Sequence, residues 1–183
     1  MKALLIVDLQ NDFCQGGTLA TPDGDKIVPV VNLLLEQFSL VVASKDWHPE
    51  KTMHFENWPP HCIQNTEGAA FHPDLDTAKI HKIFLKGTGI KDDGYSAFEA
   101  TNENLAEFLK NQGVEELFIA GLTTEYCVKN TVLDAIKKGF DTKVIKDAVE
   151  GVKANTGDED TAYAEMKKNG AGIITSKDIF QLA

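Results

Sequence analysis

Cysteine is scarce in this chain. Cys14, Cys62 and Cys127 are three in number and show no C-x-x-C spacing, which argues against a disulfide framework and a zinc knuckle and fits a reducing cytoplasm. Long hydrophobic runs are missing too. No stretch approaches the roughly 20 apolar residues a membrane helix needs, and the opening run Ala3 to Val7 stops at Asp8 with no small-residue cleavage site after it, so neither a span nor a signal peptide is expected. Positive charge is in deficit: the net charge is −10 and the pI is near 4.9. No basic stripe alternates with aromatics, and nucleic acid is not an expected partner. Absence of a G-x-G-x-x-G after the first apolar run, and of any G-x-x-x-x-G-K-[ST], counts against a nucleotide-binding module. Neither a repeat nor a composition break divides the 183 residues, and a single domain over 1–183 is expected.

What is present is a regular alternation. Strand-like apolar runs lie at Ala3 to Val7, Leu40 to Ala43, Lys82 to Leu85, Leu117 to Ala120, Thr142 to Ile145 and Gly172 to Thr175. Between them, Ile27, Val30, Val31, Leu34 and Phe38 follow a helical period, as do Leu105, Phe108 and Leu109, then Val128, Val132, Ala135 and Ile136. Asp158 to Asn169 is a weaker helical stretch. Strands alternating with helices predict a three-layer, Rossmann-like α/β/α sandwich around a mainly parallel six-stranded sheet. Trp47 to Ile80 breaks the alternation and holds four of the six prolines and four of the five histidines, which marks it as a functional loop.

Ligands of an open parallel sheet bind beyond the carboxyl ends of the strands, so the residue that ends each run is informative. Asp8 follows the first, Asp46 the second, Lys86 ends the third, and Cys127 opens the helix after the fourth. A thiol there meets unpaired N–H groups and the helix dipole, and with the Lys86 ammonium these are expected to lower its pKa, while burial raises that of Asp8. Cys127 as nucleophile, Asp8 as base then acid and Lys86 as charge balance form one set. Asp46 and His48 share a face of an extended segment, and with His61 they make a carboxylate–imidazole site suited to one divalent metal, zinc, iron or manganese. Cys62 is not needed there, and an extended His61–Cys62 would turn its thiol away. His72 and His81 lack partner spacing and read as structural. Phe13, Trp58 and Tyr95 lie in loops of the same edge and suit the walls of a small planar substrate's pocket.

These motifs resemble those of the isochorismatase-like cysteine hydrolases, and within them the nicotinamide-hydrolysing branch. The resemblance rests on Ile6 to Phe13, Lys45-Asp46-Trp47-His48-Pro49, Trp58-Pro59-Pro60-His61-Cys62, Phe84 to Gly87, Tyr95 to Phe98 and Gly121 to Val128, and covers nearly the whole chain. It implies nucleophile Cys127, acid/base Asp8, supporting Lys86 and metal ligands Asp46, His48 and His61, with His54 at a position that ligates metal in some relatives. It also implies a cis peptide at Leu122-Thr123, the N–H groups of Thr123 and Cys127 as oxyanion donors, nicotinamide as substrate, and a homo-oligomer. Thr123 and Glu125 stand where many relatives carry Ala and Asp, and Asn65 where Gly is frequent. Sister activities on isochorismate, N-carbamoyl or ureido compounds are the main alternative, and a thiol-redox protein the more distant one.

Overall fold

The structure, a computed structural model, describes residues 1–91 and 94–181. Six strands form one sheet: β1 (Lys2–Val7), β2 (Val41–Asp46), β3 (Lys82–Lys86), β4 (Glu116–Leu122), β5 (Asp141–Glu150) and β6 (Gly172–Ile174). Their order is β3-β2-β1-β4-β5-β6 and every pairing is parallel. All six predicted runs are strands, most of them extended by a few residues. Helices α1 (Val28–Leu35), α2 (Leu105–Asn111), α3 (Lys129–Lys137), α4 (Asp158–Lys168) and α5 (Ser176–Phe180) cover the sheet; the short α5 was not legible as a period.

Alternate residues of β1 enter two different cores. Ala3, Leu5 and Val7 share a core with Leu105 and Leu109 of α2, Val132 of α3 and Val128 just before α3. Leu4 and Ile6 face the other way, onto Val28, Val31 and Leu34 of α1. A strand buried on both faces must be apolar throughout, which is why these runs lack the alternation of a half-exposed sheet.

The order of strands reverses between β1 and β4, and a crevice opens there beyond their carboxyl ends. Gly121 of β4 lies opposite Val7 of β1. It has φ +116°, and a Cβ on it would come within 2.6 Å of the Val7 nitrogen, so only glycine permits this approach. The segment from Trp47 to Ile80 is irregular apart from short 3-10 turns at Met53–Glu56 and Thr77–Lys79. It is tied to the residues after β1 by an isolated bridge between Gln10 and Phe71, and folded on itself by one between His48 and Ile63. Asn65 takes φ 64°, a conformation that asparagine tolerates better than most side chains.

Candidate active site

Asp46 and Lys86 are the last residues of β2 and β3 and are paired in register. Lys86 ends its strand as expected, Asp46 belongs to its strand rather than following it, and the register sets their side chains together. The Lys86 Nζ donates to Asp46 Oδ1 at 2.5 Å, to the Gly94 carbonyl at 2.7 Å and to Cys127 Sγ at 3.3 Å. Three donors are thereby used. Asp8 Oδ2 also lies 2.7 Å from this nitrogen and is held there as an ion pair, with no well-aligned hydrogen bond on that oxygen. Its other oxygen accepts from Ser44 Oγ at 2.7 Å. Asp8 therefore offers a carboxylate oxygen with an unused lone pair in a dry setting. Carboxylate oxygens of Asp8 and Asp46 and the Cys127 sulfur lie within 4.8 Å of one another. Asp8 sits at φ 47°, a left-handed conformation that is concentrated at functional sites in non-glycine residues.

The charges decide the protonation states. Burial would push Lys86 down, but Asp46 and Asp8 outweigh it and hold the ammonium well above the ordinary lysine value. Burial pushes Asp46 up, but the Lys86 ammonium together with its other neighbours outweighs it, and the carboxyl stays well below the usual range. Asp8 has the same ammonium beside it, but burial with the Asp46 charge leaves it raised. The Cys127 thiol departs from expectation. Burial pushes it well above the usual cysteine value; Lys86 offsets only part of this, and Asp46 and Asp8 add to the rise. The helix-dipole argument gave the wrong direction, since two carboxylates and complete burial oppose one ammonium. Cys127 rests as a thiol with a proton acceptor beside it.

Cys127 is carried by a π-helical turn, Thr124–Val128, that runs into α3. The peptide Leu122-Thr123 just before it is cis. Both Tyr126 and Val128 donate their N–H to the Thr123 carbonyl at 3.1 Å.

A second cluster shares Asp46. His48 Nδ1 lies 2.9 Å from the Gly87 carbonyl, and His61 Nδ1 lies 2.8 Å from the Pro59 carbonyl. Carbonyls only accept, so both rings carry their proton on Nδ1 and present a bare lone pair at Nε2. Those Nε2 atoms stand 3.6 and 3.7 Å from Asp46 Oδ2, too far for a hydrogen bond, and His48 Nε2 is buried without a partner. His54 stacks on His48 at 4.4 Å, and nitrogens of His48, His54 and His61 all fall within 4.8 Å of one another. Converging lone pairs with no proton between them fit a cation, and carbonyl partners on Nδ1 are the usual outer support of metal-bound histidines. Cys62 is not extended but left-handed, with φ 44°. Its buried side chain packs in the α1-side core.

The two clusters meet at one pocket, lined by Phe13, Trp58, Tyr95, Thr123 and Cys127 together with Asp46, His54 and His61. Its empty space is about 320 Å³ with the open mouth included. Trp58 Nε1 donates to the Tyr95 hydroxyl at 2.9 Å, fixing two of the walls.

The isochorismatase domain matches residues 2–178. The chain belongs to the isochorismatase family. The nicotinamidase of Escherichia coli (strain K12) is 40% identical over 204 residues, covering 97% of this chain and 96% of that protein. The nicotinamidase/pyrazinamidase of Mycobacterium tuberculosis (strain ATCC 25618 / H37Rv) is 42% identical over 191 residues, covering 96% and 100%. Among solved structures, the pyrazinamidase of Pyrococcus horikoshii in complex with zinc superposes with a TM-score of 0.86 at 43% identity, covering 95% of this chain and 98% of that one.

In this isochorismatase-family chain several contributors escape motif reading. Leu19, Tyr126 and Val152 also line the pocket. Tyr126 adjoins Cys127 in sequence, and its place beside the thiol was the one signal for it. Gln10 clamps Asp46 by accepting from its N–H and donating to its carbonyl, both at 2.8 Å. His72 and His81 lie outside the site, His72 paired with Asp25 at 3.1 Å and His81 Nδ1 accepting from the Val41 N–H at 3.2 Å.

Proposed function

We propose that the chain is a metal-dependent nicotinamidase, a cysteine amidohydrolase that converts nicotinamide to nicotinic acid and ammonia in NAD salvage and also accepts pyrazinamide. The observation that carries this reading is one small aromatic pocket whose wall holds both Cys127, backed by the buried Asp8 and Lys86, and an imidazole cluster. A neutral carboxamide suits it. Its buried ammonium, Lys86, is committed to Asp46, Gly94, Cys127 and Asp8, and the chain has no arginine to receive a substrate carboxylate. This favours an amide over the carboxylate-bearing substrates of the sister activities.

The thiol proton of Cys127 passes to the unused oxygen of Asp8 as sulfur attacks the amide carbon. Burial has raised Asp8, so the acceptor is better matched to a thiol than an ordinary carboxylate. The N–H groups of Thr123 and Cys127 are the donors for the resulting oxyanion. Asp8 returns the proton to the amide nitrogen, the C–N bond breaks, and ammonia leaves a thioester on Cys127. A water then loses its proton to Asp8 and attacks the thioester, and the departing sulfur takes that proton back. Throughout, Lys86 holds Asp8, Asp46 and sulfur in one arrangement. Asp46, His48 and His61, with His54 alongside, would hold one divalent cation, zinc before iron or manganese. When bound it supplies a Lewis-acidic charge that binds the lone pair of a pyridine nitrogen.

Ammonia release from nicotinamide tests the reading. The purified protein is expected to lose activity on chelation and regain it with zinc, iron or manganese; no turnover in any metal-loaded form would overturn it. Gly87 supplies a second check. It has φ +64°, and a Cβ there would come within 2.7 Å of His48 Nδ1. Gly87→Ala is expected to displace the ring and weaken zinc binding by about 10- to 100-fold, read by competition with a chromogenic chelator. One domain over residues 1–183, a homo-oligomeric assembly and a cytoplasmic location belong to the same proposal. The location is supported by three free cysteines, and among the described residues no helix is long and apolar enough to cross a membrane.

A further inference from the structure

Glu125 is two residues before the nucleophile, yet it does not line the pocket. Its side chain is turned away from Cys127 and is 9% exposed. One carboxylate oxygen accepts from the Val152 N–H at 2.9 Å and the other from the Lys153 N–H at 2.8 Å. Two successive backbone donors on one carboxylate make a clamp between the turn that carries Cys127 and the segment that leaves β5. Gly151 completes it. A Cβ on Gly151 would stand 2.5 Å from each of the two carboxylate oxygens, so the carboxylate occupies the space a side chain at 151 would fill. The clamped segment contains Val152, which is a wall of the pocket.

We propose that Glu125 is a positioning residue for substrate selection: by pinning Gly151 to Lys153 it holds Val152 against the pocket and so sets the width available to the substrate ring. The proposal rests on the pocket being the nicotinamide site. It makes the nucleophile's own turn the reference from which one pocket wall is measured. The wall and the sulfur then keep their spacing when the surrounding loops move.

Glu125→Gln retains one acceptor oxygen and turns an NH₂ toward the second N–H, which breaks half the clamp. Its KM for nicotinamide is expected to rise about 10-fold with kcat within about threefold of wild type. Discrimination against a ring-methylated nicotinamide should fall by about 10-fold. Val152→Ala should move both quantities in the same direction. Gly151→Ala reaches the clamp without touching Glu125 and should reproduce the KM effect. In a Glu125→Ala background the added methyl meets no carboxylate, so there it should change KM by less than about twofold.

A fall in kcat with KM and ring discrimination unmoved would overturn the proposal, as would additive effects of the 125 and 151 substitutions. Cys127 alkylation by iodoacetamide and by the bulkier N-ethylmaleimide, located by mass spectrometry, follows the wall without turnover. The ratio should shift toward the bulkier reagent in Glu125→Gln and Gly151→Ala, and an unchanged ratio counts against the clamp. If wild type leaves nicotinamide intact, the functional reading fails while this alkylation ratio still decides the role of Glu125.

Discussion

Replacing Cys127 by alanine is expected to lower ammonia release from nicotinamide by about 10⁶-fold, to the level left by binding and oxyanion stabilisation alone. The size follows from there being no substitute. Cys127 is the one thiol that lines the pocket. Cys14 is buried in the α1-side core, where burial and then the Asp25 charge push its thiol up to about 12. Cys62 lies in the same core, and burial with the charges of Asp46, Asp8 and Asp12 holds it well above the usual value. In the alanine variant Lys86 loses its contact with the sulfur but keeps Asp46, Gly94 and Asp8, so folding and metal content should be near normal while chemistry stops. An enzyme-coupled ammonia assay, with mass spectrometry of the acyl-enzyme in the wild type, reads the result. Retention of more than a few per cent of the activity would mean that sulfur is not the nucleophile and that water attacks the amide directly.

Lys86→Met should be the most destabilising single change in the site. Lys86 is fully buried and touches both carboxylates. Methionine fills similar volume but leaves Asp8 and Asp46 buried without their shared cation, and breaking a buried pair in this way costs about 3–5 kcal/mol. One carboxyl would then have to take up a proton to remain folded. For urea slopes of about 2–3 kcal/mol/M, the unfolding midpoint should fall by roughly 1–2.5 M. Activity should be lost with it, because nothing then orders Asp8 against the sulfur. An unchanged midpoint would show that water or a repositioned group already carries the charge balance.

Much of the site was legible because it follows from strand ends. An apolar run of five residues marks a strand whether or not its partners are known, and Asp8, Asp46, Lys86 and Cys127 were found by asking what ends each run. The structure brings all four together, and it gathers His48, His54 and His61 as well. Asn65 was read as tolerating a left-handed backbone, and it adopts one. Gln10, Ser44 and Val152 were not legible. Their roles depend on partners 36 residues away in the first two cases, and, for Val152, on an acceptor 27 residues back. No periodicity records such a pairing.

The direction of the Cys127 shift shows where sequence reasoning stopped. Position at the start of a helix is a local property, and it argued for a lowered pKa. The outcome was set by how completely the sulfur is buried and by two carboxylates from other strands, terms that depend on distance in space. By itself the sequence determined the alternation of strands and helices, the parallel sheet and the residue types delivered to one edge, because periodicity and chain order are local and additive. Only the tertiary structure decided which of those residues touch, which lone pairs remain bare and on which atom each proton rests, because electrostatic energies depend on separations and burial that the folded chain alone defines.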